Sequence, residues 1–172
     1  QGGTVGHSDK ALALHRQGRL DKAEEQYLLA LTENFDDWQV LLYLGTLYLQ
    51  RNVVALASQC FMRSLDINRK SFEAWNNLGN CFKAVNKELD AKLCWEESLK
   101  IANKDGDDYA DVYNNICTLY INAGQPKLAE EYAKKAIELC PNHADANWNL
   151  GLAMLEQGNY AEGFGRYHWG FK

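Results

Sequence analysis

The sequence is poor in the features that mark linkers, membrane spans and leader peptides. Among its 172 residues only two are proline, and no stretch has low complexity, so we expect no disordered linker. No run of about 18 apolar residues occurs, so we expect no membrane span and no membrane partner. No charged and apolar leader opens the chain, although Gln1-Gly2-Gly3, without a methionine, resembles a processed or artificial end.

The net charge bears on the class of partner, and the cysteine content bears on the cellular location. The formal net charge is −5, and a nucleic-acid partner favours a basic face, so the balance argues against nucleic acid. The five cysteines are odd in number, lie far apart and sit among apolar residues: Cys60, Cys81, Cys94, Cys117 and Cys140. We interpret them as small reduced core residues, which favours a cytoplasmic location.

What the chain does contain is a repeat of 34 residues that returns five times. With Thr4 as position 1, the five repeats span about 4–37, 38–71, 72–109, 110–143 and 144–172. We expect these repeats to form a single domain after a short end segment, residues 1–3. A period of this length is typical of stacked small units rather than of one globular core.

Three positions of the repeat carry structural information. Positions 8 and 20 hold small residues in every repeat, which predicts a close contact between two helices. Position 15 is always glycine or asparagine, the residues that most readily adopt the left-handed conformation that ends a helix: Gly18, Asn52, Asn86, Gly124 and Gly158. Apolar residues around these points follow helical spacing, as in Trp75, Leu78 and Phe82.

The pattern predicts an all-α fold of ten helices, each about 12 to 15 residues long, whose five hairpins stack into a curved α-solenoid. The order Trp75-x-x-Leu78-Gly79-x-x-Phe82, then Ala91 and Trp95, resembles the tetratricopeptide repeat. The resemblance covers residues 4–172. In the first repeat, polar His7 and Lys10 stand where apolar residues belong, so its first helix is expected to fray or to act as a polar cap.

One interval departs from the period. From Phe72 to Ala110 the chain takes four residues more than 34, near residues 104–109. We expect a longer loop or about one more helical turn, since insertions in repeats go to loops. A calcium loop is the alternative, but Asp105, Asp107 and Asp108 lack the alternating ligand spacing that calcium requires.

The resemblance implies that the first helix of each repeat lines a concave groove through positions 2, 5, 6, 9, 12 and 13. Position 6 holds an aromatic residue and then three asparagines: Tyr43, Asn77, Asn115 and Asn149. This ladder resembles the asparagine ladder of O-linked N-acetylglucosamine transferases, which holds the backbone of an extended peptide. An amide both donates and accepts hydrogen bonds, so it can pair with any peptide unit.

Neighbouring positions extend the predicted stripe. Asn76 and Asn114 occupy position 5, and Asn80 occupies position 9. Tyr43 and Trp148 offer flat apolar contacts for a side chain. Glu73, Asp111 and Asp145 make one rim acidic, which favours a ligand with basic character. The alternative interpretation is an ordinary solvated helix face. The carboxylate clamp of some tetratricopeptide proteins is disfavoured, because its cations are missing and Asp111 would repel a carboxylate.

The sequence gives no sign of catalysis, of a cofactor or of a metal site. No glycine-rich phosphate loop precedes a helix, and no nucleophile motif occurs. Cys140-Pro141-Asn142-His143 supplies one pair where structural zinc takes four ligands, so we expect a helix end and a turn there. His15 and His168 lack evident catalytic partners and are interpreted as surface or interface groups.

The C-terminal end does not look like a polar cap. Its aromatic residues are too many to leave on an open end, so we expect contact with a partner or a following domain through Phe164, Tyr167, Trp169 and Phe171. A C-terminal motif also resembles the end of the repeat region in bacterial tetratricopeptide glycosyltransferases, and its residues are Gly158, Tyr160, Gly163, Phe164, Tyr167 and Trp169. Three functions stay open: a scaffold that binds an extended peptide or protein in its groove, the recognition arm of a larger glycosyltransferase, and a self-assembly module acting through its terminal repeats.

Overall fold

The computed structural model describes residues 6–101 and 107–168, and within these ranges it is all-α, with ten helices and no strand. The helices are α1 (His7–Arg16), α2 (Leu20–Glu33), α3 (Trp38–Gln50), α4 (Val54–Ile67), α5 (Phe72–Ala84), α6 (Glu88–Lys100), α7 (Asp107–Asn122), α8 (Pro126–Leu139), α9 (Ala144–Glu156) and α10 (Tyr160–Tyr167). The predicted fold class is confirmed. None of the described helices is long and apolar enough to cross a membrane.

The chain divides into two compact units, an N-terminal unit of residues 1–98 and a C-terminal unit of residues 99–172. The helices pair as five hairpins, from α1–α2 to α9–α10. Within each unit the first helices of neighbouring hairpins adjoin, α1 with α3, α3 with α5, and α7 with α9. The organisation of all five hairpins as one domain stays a prediction.

The turn inside each hairpin forms at position 15, as predicted. All five residues there have positive φ: 73° at Gly18, 59° at Asn52 and Asn86, 65° at Gly124 and 81° at Gly158. The left-handed residue lets the next N–H bond back into the ending helix, for example from Val53 to the carbonyl of Tyr48 at 2.8 Å. This arrangement satisfies carbonyls that the helix end would otherwise leave unpaired.

The two helices of a hairpin meet at the small residues of positions 8 and 20. A Cβ on Gly79 would lie 2.5 Å from Nε1 of Trp95, and one on Gly45 would lie 2.7 Å from Cε1 of Phe61. Both aromatic residues occupy position 24 and are completely buried. The predicted helix contact is therefore confirmed, and in these hairpins position 8 is small because an aromatic ring lies over it.

Helix lengths depart from the prediction at three places. α7 has 16 residues because it begins at Asp107, three residues before Ala110, so the longer interval adds helix. Residues 102–106 of that interval lie outside the described residues. α10 has only 8 residues and includes Gly163 and Gly165, which lower helix propensity. α1 has 10 residues, and its polar His7 is held by the side chain of Gln26 at 2.9 Å.

Candidate functional site

In the N-terminal unit, the predicted groove positions line a hollow between α1 and α3. Its volume is about 160 Å³. Its wall contains position 5, 6 and 9 residues of the first hairpin and position 2 and 6 residues of the second: Ser8, Asp9, Leu12, Gln39 and Tyr43. The positions that the family resemblance assigns to the groove therefore share one surface here.

The hollow has an aromatic wall and an acidic rim. The half-buried ring of Tyr43 stacks on Tyr27, with 6.3 Å between ring centroids and 26° between planes. Asp37 also lines the hollow, and its carboxylate caps α3 by accepting the N–H groups of Gln39 and Val40, each at 3.1 Å. Asp9 is exposed. This arrangement can hold a side chain that has an apolar stem and a positive end.

On α5 the predicted asparagines are half-buried, with Asn76 and Asn77 consecutive and Asn80 one turn further along the helix. The side chain of Asn77 forms no hydrogen bond within the described ranges. The neighbouring Asn76 has a buried Oδ1 without a partner there. A buried polar atom left without a hydrogen bond costs about 1–3 kcal/mol.

In the C-terminal unit the asparagines join two helices. The amide nitrogen of Asn149 on α9 donates to Oδ1 of Asn114 at 2.8 Å and to Oγ1 of Thr118 at 3.3 Å, both on α7. The fold therefore uses the donor side of Asn149 and leaves its Oδ1 as the available acceptor. Asn115 is half-buried beside Asn114. Because Asn77 belongs to the other unit, a continuous ladder stays a prediction.

Asp111, predicted as a rim residue, is tied to the neighbouring hairpin. Its Oδ1 lies 2.9 Å from Nε2 of His143. Nδ1 of His143 accepts the N–H of Ala146 at 3.2 Å and so caps α9. Because Nδ1 accepts, the proton of a neutral imidazole sits on Nε2 and points to Asp111. Cys140-Pro141-Asn142-His143 thus contains a helix end and a turn, as predicted, and His143 in addition caps α9.

Two aromatic residues of the last hairpin that were predicted to contact ligands, Trp148 and Tyr167, pack against each other. The ring of Trp148 lies 4.0 Å from the ring of Tyr167, measured between centroids. Trp148, predicted to anchor a peptide, and Tyr167, predicted to contact a partner, thus partly cover one another. Phe164 is 54% exposed beside Tyr160, which is 63% exposed. Trp169 and Phe171 lie outside the described residues.

A side-chain pairing between positions 4 and 23 was missed by the sequence analysis. It joins the two helices of a hairpin in three of the five cases: His7 with Gln26 at 2.9 Å, Tyr113 with Tyr132 at 6.2 Å between centroids, and Asn147 with Arg166 at 2.8 Å. The second and third hairpins carry Cys60 and Cys94 at position 23. A comparison of these two positions along the repeat would have revealed the exchange of long side chains for cysteine.

The described residues hold no group of three or more His, Cys, Asp or Glu side chains arranged to bind a metal ion. His15 is bound on both ring nitrogens, to the Tyr27 hydroxyl at 3.0 Å and to Oε1 of Gln50 at 3.1 Å. His15 therefore joins three helices, and these contacts use both of its ring nitrogens.

Comparisons with known proteins agree on one repeat family. Three profiles described as tetratricopeptide repeat match residues 8–61, 110–143 and 132–163. The chain is 22% identical over 125 residues to the tetratricopeptide repeat-containing protein trd-1 of Caenorhabditis elegans, covering 73% of this chain and 16% of that protein. It is 29% identical over 103 residues to the photosystem I assembly protein Ycf3 of Synechococcus sp. (strain CC9605), covering 59% of each. The chain thus spans less than two thirds of either relative.

Solved structures share the fold. The crystal structure of MamA matches with a TM-score of 0.82 and 21% identity, covering 96% of this chain and 88% of MamA. YrrB, described as a tetratricopeptide-repeat protein with an unusual peptide-binding site, matches with a TM-score of 0.73 and 22% identity, covering 84% of this chain and 72% of YrrB. PilF of Pseudomonas aeruginosa matches with a TM-score of 0.83 and 15% identity, covering 96% of this chain and 73% of PilF.

Proposed function

This chain belongs to the tetratricopeptide-repeat family, and from that premise we propose that it is a non-catalytic scaffold that binds an extended peptide or a segment of a partner protein along its first helices. Its relatives are named for such roles: Ycf3 as an assembly protein and YrrB for a peptide-binding site. A protein-interaction role follows from the family, while the groove itself is our proposal.

One observation carries the proposal most directly. The hollow between α1 and α3 is lined by the residues at groove positions, including the aromatic wall of Tyr43. A ligand side chain that enters it would exchange water for contact with Leu12 and Tyr43.

The available polar atoms favour a peptide backbone as the ligand. Asn77 offers an amide that the described fold does not use, and Asn149 offers its Oδ1. Peptide N–H and C=O groups match these atoms whatever the side chains of the ligand are. The carboxylates of Asp9 and Glu73 on α1 and α5 favour lysine or arginine among those side chains.

The proposal is tested by selecting binders from a randomised peptide library and measuring their affinity for Asn77→Ala. We expect binding to weaken about thirtyfold, because the lost amide forms about two hydrogen bonds worth roughly 1 kcal/mol each. The helical circular-dichroism signal should not change. Selected peptides should be enriched in basic residues.

Asn142→Ala is the matched control, because Asn142 is exposed in the turn before α9 and does not occupy a predicted groove position. It should bind the selected peptides as the parent does. If Asn77→Ala and Asn142→Ala bind equally well, the groove is not the peptide site.

Two finer expectations remain proposals. The burial of Cys81, Cys94 and Cys117 as unlinked thiols supports a reducing, cytoplasmic location. The recognition arm of a glycosyltransferase stays the alternative role. The described part of the C-terminal motif, up to Tyr167, forms the short helix α10, and within the described residues it shows no feature that favours that role over the scaffold.

A further inference from the structure

The second and third hairpins each have a hollow where the other hairpins place a long side chain. The first hollow, of about 260 Å³, has Leu41 at position 4 and Cys60 at position 23 in its wall. The second, of about 350 Å³, has Trp75 and Cys94 at the same two positions. Both lie in the N-terminal unit, and neither shares a lining residue with the hollow between α1 and α3.

The fourth hairpin shows what chemistry such a space accepts. There, position 23 is Tyr132, and its ring lies between Tyr113 at position 4 and Tyr120 at position 11, at centroid distances of 6.2 and 5.4 Å. In the third hairpin, Trp75 and Phe82 stand at positions 4 and 11, and both line the second hollow. Cys94 leaves unfilled the space that an aromatic ring occupies in the fourth hairpin.

The second hollow, which we name the Cys94 hollow, is open and mainly apolar. Besides Trp75, Phe82 and Cys94, its wall includes Leu78 and Met62, and Met62 is 44% exposed. Its volume of about 350 Å³ compares with roughly 30 Å³ for a water molecule in the liquid, so it can hold an aromatic ring. Asp66 and Arg69 add polar groups to the lining.

The chain itself exposes a pair of side chains of the required kind. Tyr160 and Phe164 stand four residues apart on α10, with 6.5 Å between ring centroids, and more than half of each residue is exposed. A Cβ added at Gly165 would meet no atom within 4 Å, so the helix surface beside Phe164 is open to a close neighbour. Large exposed apolar residues that cluster in this way indicate a contact surface.

We propose that the Cys94 hollow receives Phe164 and Tyr160 of a second copy of this chain. The contact joins two different surfaces, because the hollow of one copy meets α10 of another. Phe164 takes the place that Tyr132 occupies in its own hairpin, and the Tyr160 hydroxyl can donate to Asp66. This surface is separate from the peptide groove, and the inference does not rest on the proposed function.

Sedimentation equilibrium over a wide protein concentration range tests the proposal on the full chain. The parent mass should rise above the monomer value of 19.5 kDa as concentration increases. Cys94→Tyr fills the hollow from inside and should weaken association by at least about tenfold, as the loss of one buried anchor does. Met62→Lys puts a charge in the wall of the hollow and should act similarly, which keeps the test decisive if Cys94→Tyr does not fold.

Cys60→Tyr is the matched control, since it makes the same substitution in the neighbouring hollow and should associate as the parent does. A mixture completes the test. Cys94→Tyr keeps its aromatic pair, and a Tyr160→Ser/Phe164→Ser chain keeps its hollow, so the two should be monomers alone and form a one-to-one dimer together.

Three results would each overturn the proposal. The parent could stay monomeric at every concentration. Folded Cys94→Tyr or Met62→Lys could associate as the parent does. The mixture of the two complementary variants could fail to form the dimer.

Discussion

The third and fourth hairpins place their aromatic side chain at two neighbouring positions of the second helix. In the third, Trp95 at position 24 lies over Gly79 and is completely buried, while position 23 is Cys94. In the fourth, position 24 is Ala133, and the aromatic residue is Tyr132 at position 23. Each hairpin of the chain carries one aromatic residue at this pair of positions.

The difference shows that a shift of one residue along the helix moves the aromatic ring from the core between the two helices to the surface of the hairpin. Successive residues point about 100° apart around a helix axis. A ring at position 24 turns between the two helices and requires glycine or another small residue at position 8. A ring at position 23 instead fills the space beside positions 4 and 11. Because protein interiors are close-packed, a hairpin that fills one space with its ring leaves the other to be filled by something else.

Among the substitutions that test this difference, Trp95→Ala should have the largest effect on stability. The fully buried ring is removed, and the carbonyl of Asn76 loses the indole N–H that donates to it at 3.3 Å. We expect the free energy of unfolding of the N-terminal unit to fall by about 3–5 kcal/mol. Urea unfolding followed by circular dichroism measures the change, and a loss below about 1 kcal/mol would contradict the role given to this ring.

The control for Trp95→Ala is a variant whose third hairpin carries residues of the fourth. The triple variant Gly79→Cys/Cys94→Tyr/Trp95→Ala gives the third hairpin the residues that the fourth has at positions 8, 23 and 24. Neighbouring substitutions of this kind couple. We expect the triple variant to be more stable than Trp95→Ala alone by about 2 kcal/mol.

Gly79→Ala should have the next largest effect, because its Cβ would overlap the indole of Trp95. We expect a loss of about 1–3 kcal/mol, typical of an overpacked core. Gly165→Ala is the matched variant on α10, where a Cβ meets no atom within 4 Å. It should gain up to about 1 kcal/mol through helix propensity. Equal effects in thermal denaturation would remove the distinction between the two glycines.

The asparagines of the two units should differ by a smaller amount. Asn149→Ala removes donors to Asn114 and Thr118, so we expect a loss of about 1 kcal/mol. Asn77→Ala removes no described hydrogen bond and should change stability by less than about 0.5 kcal/mol. Chemical denaturation of both variants checks this ranking. A larger loss for Asn77→Ala would mean that the fold, and not a ligand, uses its amide.

The smallest effect on stability should come from the ionisation of buried thiols, which occurs at alkaline pH and not at neutral pH. Burial raises the pKa of the Cys60 thiol to about 11 and that of Cys117 to about 12, from 9.0. The folded state thus holds these protons more tightly than the unfolded state. Their contribution to stability is complete below pH 9 and declines as pH rises through 11 and 12.

Thiol labelling checks the alkaline prediction and compares the second and fourth hairpins. Cys60 is half-buried in the wall of a hollow, whereas Cys117 is completely buried. Above pH 9 a soluble thiol reagent should therefore modify Cys60 before Cys117, since the reactive form is the accessible thiolate. Faster modification of Cys117 would contradict the assigned burial.

Periodicity predicted the backbone well because turns and helix contacts depend on single residues. Gly18, Asn52 and their equivalents needed only their own left-handed preference to predict the turn. The exchange between positions 23 and 24 could not be predicted in this way, since Cys94 and Trp95 are both apolar and helical spacing alone did not say which would point inward.

The groove was predicted in part, for a similar physical reason. Tyr43 lines the expected surface, because its position depends only on helix geometry. The contacts of Asp111 with His143 and of Trp148 with Tyr167 depend instead on which side chains from adjacent helices reach one another. Such contacts need three-dimensional distances that no single-sequence pattern contains.

Side-chain amide resonances can distinguish peptide binding on the first helices from binding on the second helices, because they report on each surface separately. Asn77 and Gln39 carry such amides on the first helices, and Gln59 carries one in the wall of the first hollow on α4. In a nitrogen-15 NMR titration with a selected peptide, the account predicts that the Asn77 and Gln39 resonances shift while that of Gln59 stays in place. A shift of Gln59 without any shift of Asn77 would contradict the account and move the peptide site to the opposite set of helices.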